Sequence, residues 1–328
     1  MAARPRPIAT RYLCRLDGAR MARVKIGLPI QPPRLPMRPH ALFRASLFLG
    51  LLFAACQGLA AEYVIERMKD NVYRFTAGNY RSAFMVTDAG IIATDPLNPR
   101  AAAWLKDELD RRFDVPLRYV VYSHNHVDHS YGGQALDGDG VHFVAHRLAR
   151  ADLVHTRADT RIPDITFDNE MTLYLGEARV ALRYHGVNNG RGSVSMHFQP
   201  ANVMYVVDWI VLGRMPYKNL KGYDIQGMID STEDILATDF ELFIGGHGDA
   251  GDKADVARYL AYLNALYDSV RDGMLAGRSL AQLQDDIRLP EFNDLRMYDA
   301  WLKLNIEGVH DTLIDKSYFD MRPDVPAN

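Results

Sequence analysis

Beyond its first sixty residues the chain has no cysteine; Cys14 and Cys56, its only two, both lie in the leading segment. The body can therefore form no disulfide, use no thiolate nucleophile and build no cysteine-ligated metal site. Long apolar runs are missing too. The stretch ASLFLGLLFAAC over residues 45–56 has twelve residues, too few to span a bilayer. Basic stripes are absent from the body. Residues 1–60 hold ten Lys and Arg against Asp17 alone, a charge of +9, so the formal total of −3 leaves −12 for the remainder. An acidic body repels phosphate backbones, which excludes nucleic acid as an expected partner. At 48% hydrophobic and 24% charged residues, the composition also excludes collagenous, disordered and multi-span membrane chains.

The leader reads as an address. MRPHALFR, starting at Met37, precedes the apolar run, and small residues follow at Gly58, Ala60 and Ala61. A basic start, a short apolar middle and small residues form a secretory signal with cleavage near Ala60 or Ala61. This predicts a periplasmic or secreted protein. The alternative is a lipoprotein box at residues 53–56, with Cys56 as a lipid anchor; Phe53 departs from the usual Leu. Residues 1–36 read as an upstream extension of a signal complete from Met37. The expected division is thus a basic extension and signal over residues 1–60 and one domain over 62–328.

In that domain, β-type runs at 63–65, 72–75, 83–87 and 91–94 are separated by turn residues, as in an antiparallel meander. A helix is predicted to start at Asn98 as N-cap with Pro99 at N1, placing Trp104, Leu105, Leu109 and Phe113 on one face. A buried strand follows at 117–123, then a strand at 140–145 and a helix at 147–155. Strands resume at 171–175, 180–184, 194–198 and 203–207. Asp224 caps a further helix, and 241–244 returns as a strand. Strands followed by helix occur twice, which fits two face-to-face sheets covered outside by helices, a four-layer αββα sandwich. The tail is helical, with apolar residues three and four apart from Val256 to Met274, a capping box at Ser279 and Gln282, and a last helix over 295–309.

Directly after the buried strand comes Ser123-His124-Asn125-His126-Val127-Asp128-His129. Two histidines two apart at a strand end point to one side, and the Asp and His that follow can face the same point from the next helix start. Four ligand-type side chains in six residues indicate a metal site.

On this HxHxDH motif the chain resembles the metallo-β-lactamase fold superfamily over nearly all of residues 62–328. The resemblance implies the same four-layer sandwich and a site for two metal ions, usually zinc. It makes His124 and His126 ligands of the first metal, and Asp128 and His129 ligands of the second. Asp208, at the end of a strand, matches the bridging carboxylate. His247, in Ile244-Gly245-Gly246-His247-Gly248, matches the last ligand, with glycines allowing a tight turn. Asp95, after the strand at 91–94, matches the structural Asp that orients the histidine loop as a hydrogen-bond acceptor.

One position departs from the pattern. The family's single His stands about nineteen residues before the bridging carboxylate, where this chain has Asn189. His185 lies four residues upstream and fills the role only if the loop is rearranged; the register of Gly192 and Ser193 favours Asn189. An amide oxygen is a weaker zinc donor than imidazole. The first site is therefore expected to be weakened, and the second, with Asp128, His129, His247 and shared Asp208, to bind more tightly.

The resemblance implies a zinc-dependent hydrolase, and the leader an exported one, that cleaves a small ester, lactone, thioester or cyclic amide through a metal-activated hydroxide, with Asp128 able to shuttle a proton. Asp at the bridging position resembles the glyoxalase II and lactonase branches rather than the zinc β-lactamases, which carry Cys there. Arg214, Tyr217 and Lys218, in the loop after Asp208, are suited to hold a substrate carboxylate. The alternative, motivated by Asn189, is a degenerate member that binds ligand or metal without turnover.

Overall fold

The computed structural model describes residues 63 to 321. The signal region, Cys14 and Cys56 lie outside the described residues. Turn residues at Asp70, Gly78 and Gly90 adopt positive φ and fold the first segment into a meander of β1 (Tyr63–Lys69), β2 (Val72–Ala77), β3 (Tyr80–Thr87) and β4 (Gly90–Thr94). Helix α1 (Pro99–Arg112) starts where Asn98 accepts hydrogen bonds from the backbone N–H groups of Arg100 and Ala101. The chain then crosses back to the parallel strands β5 (Leu117–Val121), β6 (His142–His146) and β7 (Ile165–Phe167), which complete a seven-stranded sheet in sequence order. One turn of helix, α2 (Val127–Ser130), follows β5, and α3 (Arg147–His155) follows β6.

A second sheet has the order β12-β11-β10-β9-β8, formed by β8 (Glu170–Leu175), β9 (Ala178–Tyr184), β10 (Val194–Gln199), β11 (Val203–Val206) and β12 (Leu242–Gly245). Only β11 and β12 are parallel in it; α4 (Ile225–Ala237), capped by Asp224, connects them. The tail adds α5 (Lys253–Leu275), α6 (Leu280–Asp286) and α7 (Tyr298–Ser317).

Burial follows the two faces of each sheet. Ile91 and Ile92, Val120 and Val121, and Phe143 and Val144 are neighbours in sequence, yet the first of each pair packs under α1 and α3 and the second packs between the sheets. A strand buried on both faces requires this period of two. Leu182, Met196, Phe198 and Tyr205 of the second sheet face the inner layer. Met204, Val206 and Phe243 face outward onto α4, α5 and α7. Each aliphatic side chain buried this way contributes roughly 1.5–3 kcal/mol before ordering costs. The result is the four-layer αββα sandwich with a helical C-terminal tail.

Several boundaries differ from expectation for local reasons. β5 ends at Val121 rather than residue 123, because the Ser123 N–H donates to the Asp95 carboxylate at 2.7 Å instead of to a neighbouring strand. His124 and His126 therefore sit in a loop, not on a strand end. β6 starts at His142, since Gly140 turns with positive φ. The last helix begins at Tyr298, not 295, because Met297 is left-handed and Arg296 bridges back to Arg214; it runs on to Ser317. Strand β7, three residues long, was not anticipated.

Among these connections, the loops that matter leave the C-terminal ends of β4, β5, β11 and β12. Both pairs are parallel, and ligand sites in such sheets collect at that end of the strands. Two backbone hydrogen bonds join the sheets here, from Arg81 N to Gly246 O at 2.9 Å and from Val194 N to Ser123 O at 2.9 Å. No helix of the described residues is long and apolar enough to cross a membrane.

Candidate metal centre

Six side chains from three segments, those following β5, β11 and β12, meet at Asp208. Its Oδ2 lies 3.0 Å from His124 Nε2 and 3.0 Å from His126 Nδ1, while Oδ1 lies 3.1 Å from His247 Nε2. The carboxylate thus gives one oxygen to each half of the site. In the second half, His247 Nε2 is 3.5 Å from Asp128 Oδ2 and 3.2 Å from His129 Nε2. His124, His126 and Asp208 form one group with ligand atoms within 4.8 Å of one another, and Asp128, His129 and His247 form another.

This donor set fits divalent ions. Two imidazole nitrogens facing each other at 3.2 Å can share at most one proton, and an ion between them would satisfy both. His124 is fully buried, and its Nε2 makes no hydrogen bond despite the nearby carboxylate. An orphaned buried nitrogen of this kind costs about 1–3 kcal/mol unless something is ligated there. Asp208 and Asp95 both adopt positive φ, 71° and 23°, a conformation that costs on the order of 1–3 kcal/mol and collects at functional sites. Glycine is needed at Gly246, where a Cβ would stand 2.8 Å from the His129 ring and 2.5 Å from Val207.

The electrostatics follow from this crowding. Burial and the neighbouring His126 hold His124 below the usual histidine range. Burial also opposes charge on His247, but hydrogen bonds and charges from Asp128 and Asp208 outweigh it and push the imidazole up to about 9. Asp208 stays well below the carboxylate range; burial works against this, and His124, His126 and His247 together overcome it.

Because His247 must lose its proton to ligate, metal uptake by chelated protein is expected to release a proton and to tighten as pH rises toward about 9. The same raised value stabilises the metal-free fold below the unfolded histidine pKa of about 6.5, and the contribution is lost as pH climbs through about 9. Metal titrations by calorimetry in buffers of different ionisation heat would expose the proton; affinity that stays flat between pH 6.5 and 9 would contradict the assignment.

Asp95 lies behind both halves. Its Oδ2 accepts from Ser123 Oγ at 2.7 Å and from the Tyr205 hydroxyl at 2.9 Å, and it lies 3.2 Å from His129 Nδ1. Ser123 Oγ is in turn 2.8 Å from His124 Nδ1. One fully buried carboxylate therefore orients an imidazole in each half, His129 directly and His124 through Ser123. Tyr205 was missed from sequence, since on β11 it reads only as a buried strand residue. Partners of this kind change metal affinity by roughly 10- to 100-fold. Tyr205→Phe is expected to weaken metal binding by about tenfold with the fold intact, measured by competition against a chromophoric chelator; an unchanged affinity would remove Tyr205 from the site.

The loop before β10 brings Asn189, not His185, to Asp208. Asn189 Nδ2 donates to Asp208 Oδ2 at 3.2 Å, and its Oδ1 is buried without a partner. His185 is held elsewhere, 3.1 Å from Asp234 Oδ2 and 2.8 Å from Ser195 Oγ. The amide thus turns its N–H toward the carboxylate at the place where an imidazole would present a lone pair.

Above the centre opens a cleft of about 860 Å³. Arg214, Tyr217 and Lys218 line it, and with them Tyr80, Lys221, Tyr223, Arg296 and Trp301. The last five were not singled out from sequence, because they come from separate segments with no motif among them.

No family model matches the chain. It is 25% identical over 186 residues to the 2,4-dinitroanisole O-demethylase subunit alpha of Nocardioides sp. (strain JS1661), an alignment spanning 56% of this chain and 56% of that subunit. The chain thus covers little more than half of that relative's length. Solved structures resemble it more broadly. A metallo-β-lactamase from Pontibacter korlensis superposes with a TM-score of 0.55 at 16% identity, over 62% of this chain and 99% of that one. The DIM-1 metallo-β-lactamase gives 0.54 at 19% identity, over 62% and 97%, and VMB-1 gives 0.55 at 16% identity, over 63% and 98%. With two parallel-edged sheets, helices outside them and His/Asp groups gathered where the strands end, the chain has the metallo-β-lactamase fold.

Proposed function

We propose that this chain is an exported zinc-dependent hydrolase that cleaves a small ester, lactone, thioester or cyclic amide. The observation that carries the reading is the convergence of His124, His126, Asp128, His129, Asp208 and His247 on two adjoining groups at the base of an open cleft. Zinc held there would supply an acidified water and polarise the substrate oxygen. The chain's own residues do the rest. Asp208 sets the spacing of the two halves, and Asp95 fixes the rings of His124 and His129. Asp128 is the carboxylate of the set on the open side of the cleft, partly exposed, and is placed to take a proton from water and return it to the leaving group. Arg214 and Lys218 reach toward the same space to hold the substrate.

The two halves are unequal. The second keeps Asp128, His129, His247 and an oxygen of Asp208. The first has His124, His126 and the other oxygen of Asp208, with Asn189 as a hydrogen-bond donor. The second ion is therefore the tighter one.

The test is metal analysis of the protein alongside a hydrolysis panel of lactones, thioesters, aryl esters and β-lactams. An aryl methyl ether belongs in the panel as well, because the similar Nocardioides subunit is named for O-demethylation of 2,4-dinitroanisole. Turnover that follows bound metal supports the hydrolase. Asn189 motivates a second reading, a degenerate centre that binds without turnover; a metal-loaded protein inert across the panel would favour that one.

A further inference from the structure

Outside the metal centre, the cleft wall is unusual for its charge. The body is acidic, and most of its exposed arginines and lysines are paired, as Arg191 with Asp152, Arg258 with Asp294 and Lys303 with Asp285. Arg214, Lys218 and Lys221 all line the cleft, and no carboxylate lies within ion-pair reach of any of them among the described residues. Arg214 is half-buried, and its guanidinium makes one hydrogen bond, from Nε to the Met215 carbonyl at 3.3 Å. A cation withdrawn from water without a counterion is costly unless a ligand supplies the charge. Arg296, by contrast, is already clamped by Asp249 at 2.7 and 3.2 Å.

Rings accompany these cations. The Arg214 guanidinium lies 5.3 Å from the Trp301 ring and the Lys218 ammonium 5.0 Å from the Tyr217 ring, while Tyr217 and Trp301 meet edge to face at 5.4 Å. On the other side Tyr223 lies nearly parallel to His126, at 17° and 6.5 Å, forming a flat shelf beside the metal centre. Apolar side chains stand open to water among the cations of the rim, with Val127 58%, Tyr217 50% and Met297 43% exposed.

We propose that this cleft is built for an aromatic anion, a planar ring bearing a carboxylate, with Arg214, Lys218 and Lys221 holding the charge and Tyr217, Tyr223 and Trp301 holding the ring. The inference rests on the cleft being the substrate site of the hydrolase read above, and it narrows that substrate to an ester, lactone, thioester or cyclic amide that also carries an aromatic ring with a free carboxylate. The cations alone would suit any anion, inorganic phosphate included; the aromatic faces beside them favour one that carries a flat ring.

The full-length protein as purified, with its metal content recorded, is titrated by calorimetry with 2-naphthoate, with 2-naphthamide, which keeps the ring and lacks the charge, and with octanoate, which keeps the charge and lacks the ring. Inorganic phosphate serves as competitor. Naphthoate is expected to bind at least about tenfold tighter than either analogue, in keeping with a charge-assisted hydrogen bond, and to resist displacement by phosphate. Arg214→Gln should erase the preference over naphthamide, and Trp301→Leu the preference over octanoate, each with unaltered circular dichroism. Lys218→Gln provides a second charge variant if the arginine variant is unstable. Equal binding of naphthoate and octanoate would mean that the carboxylate merely finds an ion, and would overturn the proposal; so would equal binding of naphthamide, preferential binding of phosphate, or no binding at millimolar concentration. Naphthoate binding without hydrolysis of any panel substrate would sink the hydrolase and leave the aromatic-anion site standing. Hydrolysis restricted to neutral aliphatic esters, without naphthoate binding, would do the reverse.

Discussion

Asp208→Asn is expected to strip metal from both halves of the centre and to lower hydrolysis by about a thousandfold or more. The size follows from what the carboxylate does. Each of its oxygens faces a different group, 3.0 Å from His124 and His126 on one side and 3.1 Å from His247 on the other. Its loss removes a charged ligand from both at once. Metal-assisted polarisation is worth several kcal/mol, and each 1.36 kcal/mol is a factor of ten in rate. Asparagine is the right replacement because residue 208 is left-handed, at φ 71°, a conformation that Asn tolerates and most residues do not. The variant should therefore fold. Metal content by elemental analysis and turnover on the best panel substrate should fall together. A folded Asp208→Asn protein that keeps both its metal and its rate would remove Asp208 from the centre.

Asn189→His should act in the opposite direction on the first half alone. The amide now donates to Asp208 and leaves its own oxygen buried and unpartnered. An imidazole there would add a third neutral nitrogen to His124 and His126, a set that suits zinc well. Outer partners alone shift metal affinity by about 10- to 100-fold, so a direct ligand is expected to tighten the weaker site by about 100-fold. Titration calorimetry should show the weaker of two binding events move toward the stronger, with the stronger unchanged. If turnover rises with it from near zero, the present chain is the degenerate form; if the wild type already turns over well, the gain in affinity should come with little gain in rate. A single unchanged isotherm would mean that residue 189 does not face an ion at all.

Local chemistry was legible before any coordinates. Asn98, Asp224 and Ser279 cap the helices at which they were placed, because a cap is a bond between near neighbours in sequence. The HxHxDH segment announces itself for the same reason, with four ligand types within six residues. Asp208 and His247 are different. Each stands alone in sequence, and only the resemblance connected them to the motif; the sandwich, by making β11 and β12 parallel, delivers both to the place where β4 and β5 also end. The count of nineteen residues back from Asp208 picked out Asn189, and the structure shows His185 tied to Asp234 and Ser195 instead. What the counting could not reveal was the sense of the amide, which donates to the carboxylate rather than offering its oxygen. Tyr205, Tyr223 and Trp301 were hidden for a physical reason. Their residue types are ordinary in a core, and their roles arise from packing between segments far apart in the chain. β7 was missed because three residues are too few to show a period.

Crystals of the protein soaked in zinc and measured across the zinc absorption edge test the central claim most directly. The account predicts two anomalous peaks. The stronger should lie among Asp128, His129, His247 and Asp208, and the weaker beside His124, His126 and the other oxygen of Asp208, each about 2.0–2.2 Å from its ligand atoms. Zinc scattered over surface carboxylates, with nothing bound between these six side chains, would contradict it.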